Sequence, residues 1–183
     1  MLRKLVSAAV LAAVAGGAHA EATTWNFAYQ GFYDETNAVF DPSFRISGSF
    51  TAEDLDRDGT IRVDELTQFE VWNTSLLAPE CAMGMGLRCY INAFTYRLDG
   101  KLDFDAERYY LDEFSSGSGK NIKTGEKAED WGFGAFGDRS YVYRWTDQTT
   151  FAISPPPVPE PSTYAMLGAG MLLLAGWRGR RKS

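Results

Sequence analysis

Between Trp25 and Ile153 runs of alternating apolar and polar residues recur while helical spacing is rare, and that pattern decides what the chain can fold into. Successive side chains of a strand point to opposite faces, so a period of two buries one face of a sheet and wets the other. In FRISGSF, Phe44, Ile46 and Phe50 share one face while Arg45, Ser47 and Ser49 share the other. RSYVYRW sets Tyr141, Tyr143 and Trp145 against Val142, and TTFAIS reads as a closing strand. Asp99-Gly100 stands between two alternating runs in FTYRLDGKLDF, which predicts a hairpin with a tight type I′ turn. Many short strands, little amphipathic helix and no solenoid period predict an all-β domain, an antiparallel β-sandwich or barrel-like sheet. Residues 115–130, SSGSGKNIKTGEKAED, are rich in Gly, Ser and Lys without an apolar pattern and predict a mobile loop.

The opening MLRKLVSAAVLAAVAGGAHA has the three parts of a secretory signal peptide: Arg3 and Lys4, an apolar run from Leu5, and Ala18-His19-Ala20 as a small-residue cleavage site. An uncleaved N-terminal anchor is the alternative, but the run falls short of the ~20 residues a spanning helix prefers. The predicted organisation is a signal peptide over 1–20, flanking the body with an N-terminal helix, and a β-rich extracytoplasmic domain over 21–154. A proline-rich spacer follows over 155–158, then a C-terminal segment over 159–183.

Cleavage would remove His19, the only histidine. A mature chain without histidine builds neither a Ser-His-Asp nor a Cys-His pair, nor a His-containing zinc or iron site. The expectation is that the protein is not an enzyme.

Lys and Arg number 18 against 24 Asp and Glu, a net charge of −6. Two bases lie in the signal, and four bases and one acid in the tail, so the body carries 12 bases and 23 acids, a net of −11. Such a surface repels nucleic-acid phosphates, so no nucleic-acid partner is expected, and it favours divalent cations.

Cys81 and Cys89 lie in PECAMGMGLRCY, and an exported chain meets an oxidising environment, so the pair is read as a disulfide closing a small loop. Two free thiols are the alternative; nothing here has CxxC spacing.

DLDRDGTIRVDE, residues 54–65, places Asp54, Asp56 and Asp58 at loop positions 1, 3 and 5, Gly59 at 6, Thr60 at 7, Ile61 at 8 and Glu65 at 12. Alternate side chains on a tightly turning loop converge on one point, and a hard cation takes six to eight oxygens. The expected ligands are Asp54, Asp56, Asp58, the carbonyl of Thr60 and both oxygens of Glu65, with Ile61 tying the loop to the core or a neighbouring strand. The expected cofactor is a structural calcium ion. This resembles the EF-hand loop, and the resemblance covers the loop only: the incoming FRISGSFTAE reads as a strand where that family has a helix. Arg62 at position 9 departs from the pattern and should weaken binding. A solvated acidic turn is the alternative, since DRDG is good turn sequence whatever it binds.

The apolar run Tyr164–Trp177 predicts a short C-terminal hydrophobic helix, roughly 21 Å long at ~1.5 Å per residue against a ~30 Å hydrocarbon core. Arg178, Arg180, Arg181 and Lys182 directly after it form a positive stop on the cytoplasmic side, leaving the body outside. Pro159-Glu160-Pro161, the helix and the Arg-rich end together resemble the PEP-CTERM sorting signal of Gram-negative bacteria, a tail also labelled "ice-binding protein C-terminal domain". The resemblance implies that an exosortase-type membrane protease-transpeptidase reads Pro159-Glu160-Pro161 and removes the helix. The body, held only transiently in the membrane, is then released or attached at the envelope or cell surface, commonly in bacteria that make exopolysaccharide or biofilm matrix. The label is no evidence of ice binding. An ordinary C-terminal anchor after a proline linker is the alternative.

The expected function is that of a secreted or envelope-sorted, calcium-stabilised, non-catalytic protein associated with exopolysaccharide, for which WGFGAFGDRSYVYRW is the richest source of aromatic platforms. Such rings are more often core. The alternative is a carboxylate-dependent glycoside hydrolase, which needs two acids and no histidine; among 23 acids no pair can be singled out.

Overall fold

The computed structural model describes residues 22–82, 86–113, 115–135 and 137–155. The signal peptide, the helix over 164–177, Pro159, Glu160, Pro161 and the basic cluster Arg178, Arg180, Arg181 and Lys182 lie outside the described residues. Among the described residues no helix is long and apolar enough to cross a membrane.

Eleven strands form one antiparallel sheet: β1 (Thr23–Asp34), β2 (Val39–Ala52), β3 (Thr60–Arg62), β4 (Leu66–Val71), β5 (Thr74–Ser75), β6 (Leu87–Arg97), β7 (Lys101–Leu111), β8 (Gly117–Lys123), β9 (Lys127–Phe133), β10 (Arg139–Arg144) and β11 (Thr150–Ser154). The order is β3-β6-β7-β8-β9-β10-β1-β2-β4-β5, with β11 also on β1. The sheet curls into a half-barrel, the expected class of fold. β3 lies at one end of this order and β4 next to the other, yet only the 3₁₀ turn Val63–Glu65 separates them in sequence. The acidic loop therefore sits on the seam where the curled sheet approaches itself.

Period-two alternation does what it predicts. Ile46 and Phe50 are buried while Arg45 and Ser47 are exposed. In β1, Trp25, Phe27 and Tyr29 point inward, and a bulge between Gln30 and Phe32 restores the inward phase for Phe32. Rings from the two halves of the sheet meet edge to face or tilted, as aromatic quadrupoles prefer. Phe50 lies 5.1 Å from Phe94 and 5.2 Å from Tyr96, and Phe69 lies 5.1 Å from Phe94 and 5.2 Å from Phe104. The Tyr29 hydroxyl donates to the Leu102 carbonyl at 2.9 Å, and burial pushes its pKa well above the ordinary phenol range.

Two local expectations are corrected. The β6–β7 hairpin closes with three residues, 98–100, pairing Arg97 with Lys101. The Gly100 amide donates to the Arg97 carbonyl at 2.8 Å, and Gly100 alone takes a positive φ, of 106°. That is a turn followed by a left-handed glycine, where type I′ needs positive φ at two residues.

Residues 115–130 are not a loop but most of the β8–β9 hairpin, turning at 124–126. Ile122 and Ala128 are buried on its inner face. Its glycines make room for rings: a Cβ on Gly119 would stand 2.6 Å from Tyr109 Cβ and 2.7 Å from Trp131 Cζ2. Composition marked them as flexible because the side chains that cover them come from other strands.

Candidate functional site

The acidic loop is organised by its own backbone. Asp58 N–H donates to Asp54 Oδ1 and Asp56 Oδ1, both at 3.2 Å, Gly59 N–H to Asp54 Oδ2 at 3.0 Å, and Thr60 N–H to Asp58 Oδ1 at 2.8 Å. Gly59, with φ of 80°, makes the reversal these bonds require. Asp54, Asp56 and Asp58 each bring one carboxylate oxygen within 4.8 Å of the others. Ile61 is fully buried and pairs with Tyr96 of β6, so the loop is tied to both core and neighbouring strand.

Glu65 points back into the loop. Its Oε1 accepts from Leu55 N–H at 2.7 Å and its Oε2 from Arg62 N–H at 2.9 Å, with only 7 % of the residue exposed. Arg62 lays its guanidinium over the cluster, 3.3 Å from Asp56 Oδ2 and 2.5 Å from Asp58 Oδ2. That hydrogen bond holds the Asp58 pKa below the usual carboxylate range. Three converging carboxylates fit a hard cation, as does a Thr60 carbonyl on the seventh position. Arg62 supplies an internal competitor for the same oxygens.

The disulfide forms between Cys81, in the 3₁₀ turn Pro79–Ala82, and Cys89 of β6, with Cα atoms 5.5 Å apart. It staples the excursion after β5 to the sheet.

A second feature crosses the outer face of β6 to β9. Tyr90 stacks on Tyr109 at 6.2 Å, Tyr109 meets Trp131 at 6.3 Å, and Trp131 stacks on Phe133 at 6.0 Å with planes 5° apart. Tyr109 and Trp131 sit two strands apart with Gly119 between them in register. Strands lie about 4.8 Å apart, so only a missing side chain lets these rings lean together. Tyr90 and Phe133 are exposed and the two central rings half-buried.

The segment 131–145 therefore divides. Trp131 and Phe133 join the outer row, whereas Tyr143 stacks on Phe44 at 3.7 Å and Trp145 packs on Phe32 at 4.7 Å. Tyr90 and Tyr109 escaped sequence reasoning; their phase in β6 and β7 was the available signal, hidden in β6 by a bulge between Ile91 and Ala93.

Among the described residues four carboxylates are held below their ordinary range. Asp34 is held down by the Asn37 amide and backbone, Asp41 by the Ser43 hydroxyl and N–H, and Asp58 by Arg62. At Glu129 burial pushes upward, but hydrogen bonds from Lys127 and Ser140 outweigh it. Depressed folded pKa values contribute stability that is complete above the unfolded value of about 4 and lost as pH falls through the folded values. With no histidine in the body, Tm is expected to stay level from about pH 5 to 8 and to fall below about pH 4, measured by thermal melts across pH.

No curated protein and no solved structure matches the chain. Residues 157–182 match the PEP-CTERM protein-sorting motif. The chain thus carries, directly after its β-domain, a signal for export and exosortase sorting to the cell envelope.

Proposed function

We propose that this is a non-catalytic envelope or matrix protein, in which calcium orders the 54–65 loop and the outer aromatic row holds exopolysaccharide. The sorting motif joined to the β-domain carries this reading. Sorting to the envelope supports it, because a matrix-binding, calcium-ordered body would act there. Two further features support it. The half-exposed rings Tyr90, Tyr109, Trp131 and Phe133 offer apolar faces to the apolar faces of sugars, with Arg88 paired to Tyr109 and Glu107 paired to Tyr90 in register as polar rim. The loop brings three carboxylates to one point and has Gly59 at its turn.

The test is a thermal melt of the secreted protein with and without calcium, together with co-sedimentation on purified exopolysaccharide. At a Kd of roughly 10⁻⁴ to 10⁻³ M, 10 mM calcium is expected to raise Tm by roughly 5–10 °C. Asp56→Ala should abolish the rise. Arg62→Gln should tighten calcium binding by about threefold to tenfold, because it removes the competing charge. A Tm indifferent to calcium in both the native chain and Arg62→Gln makes the loop a turn and nothing more. Trp131→Ala should release the polysaccharide while leaving the calcium effect intact.

A further inference from the structure

The inner faces of β7 and β8 change character along their length. In β7, Leu102, Phe104 and Ala106 are buried, and the same face continues as Arg108 and Tyr110. In β8, buried Ile122 is followed on that face by Lys120 and Ser118. Register sets Arg108 beside Lys120 and Lys120 beside Asp130, and in the next row Tyr110 beside Ser118, Ser118 beside Gly132 and Gly132 beside Arg139. With Thr74 of β5, all of these but Gly132 line an open cleft of about 300 Å³.

Like charges directly opposite across strands destabilise a sheet, and Arg108 faces Lys120. Their local compensation is loose. Arg108 is 3.7 Å from Glu80 and Arg139 is 3.7 Å from Asp130, both beyond hydrogen-bond length. The Arg108 Nε is buried with no hydrogen-bond partner. Lys120 donates to the Trp72 carbonyl at 2.9 Å and lies 4.9 Å from the Trp72 ring centroid, with Asp130 as its cross-strand neighbour. Three cations, Arg108, Lys120 and Arg139, against two acids, Glu80 and Asp130, leave this spot one charge positive on a body of net charge −11.

We infer that this cleft binds the carboxylate of an acidic sugar in a polysaccharide chain, an inference that rests on the matrix reading above. A guanidinium fork matches a carboxylate, and removing either arginine removes charge-assisted hydrogen bonds. Tyr110, 47 % exposed beside Ser118, offers a ring face and a hydroxyl to the rest of the sugar. The acidity of the surrounding body repels a densely charged polyanion, so the occupant carries its charge singly, on one sugar of an otherwise neutral chain. The charged side chains of this cleft stand on the face opposite the outer aromatic row, although Tyr109 of that row also borders the cleft.

Calorimetric titration of the secreted protein with xylotriose bearing one glucuronic acid, plain xylotriose and free glucuronic acid tests the inference. The charged trisaccharide is expected to bind at least tenfold tighter than either of the others, with the preference reduced about tenfold in Arg139→Gln and in Arg108→Gln. Arg139 is exposed, so Arg139→Gln remains informative if Arg108→Gln misfolds. The inference is overturned by equal binding of charged and plain trisaccharide, or by a preference unchanged in a folded Arg139→Gln. Free glucuronic acid binding as tightly as the charged trisaccharide overturns the polysaccharide assignment. If the preference is absent while exopolysaccharide still co-sediments through Trp131, the cleft assignment fails and the matrix reading survives; if nothing sediments either, both fail.

Discussion

Phe50→Ala is expected to destabilise the domain by about 3–5 kcal/mol, a fall in Tm of roughly 10–20 °C. Phe50 is fully buried in β2 and touches rings from both halves of the curled sheet: Trp25 at 5.1 Å, Phe94 at 5.1 Å and Tyr96 at 5.2 Å. The cost combines lost transfer energy with a cavity that cannot collapse, because the surrounding rings are held by strands on three sides. Phe50→Leu should cost about half as much, since it keeps most of the buried volume. Chemical denaturation of both variants measures the difference. A loss under about 1 kcal/mol for alanine would mean that the two halves of the sheet do not close over Phe50.

Glu65→Ala is the second large effect, about 3 kcal/mol without calcium. Each Glu65 oxygen accepts one backbone N–H, from Leu55 and from Arg62, in a residue almost wholly buried. Hydrogen bonds to a charged group are each worth roughly 1.5–3 kcal/mol, and alanine leaves both donors unsatisfied. Glu65→Gln keeps one acceptor and should recover about half of the loss. The measurement is denaturant unfolding in chelator, so that loop stability is read apart from metal. A neutral Glu65→Ala in chelator would show that these two bonds do not hold the seam between β3 and β4.

The fold was legible where alternation is clean and a turn lies next to it. FRISGSF, TTFAIS and the β6–β7 hairpin are strands as read, and Ile61 anchors the acidic loop as its position implied. Illegible features all depend on partners distant in sequence. The β8–β9 hairpin is polar and glycine-rich because Tyr109, Trp131 and Phe133 fill the space above its glycines. The row from Tyr90 to Phe133 spans four strands, and its two ends are apolar residues of ordinary strand composition. The hairpin turn was misread in type because Asp-Gly also suits a three-residue loop, in which glycine alone carries the positive φ. The convergence of Asp54, Asp56 and Asp58 was readable from spacing; the Arg62 bridges across it, and the commitment of both Glu65 oxygens to the Leu55 and Arg62 N–H groups in place of the cluster, needed coordinates.

The central claim is that the β-domain is exported and parted from its tail at the sorting motif. Intact-mass measurement of the protein recovered from envelope and extracellular fractions tests it most directly. The account predicts a species lacking residues 1–20 and shortened at or near Pro159-Glu160-Pro161, with Cys81 and Cys89 oxidised. Recovery of the entire 183-residue chain from cytosol, both ends intact and both thiols reduced, would contradict it.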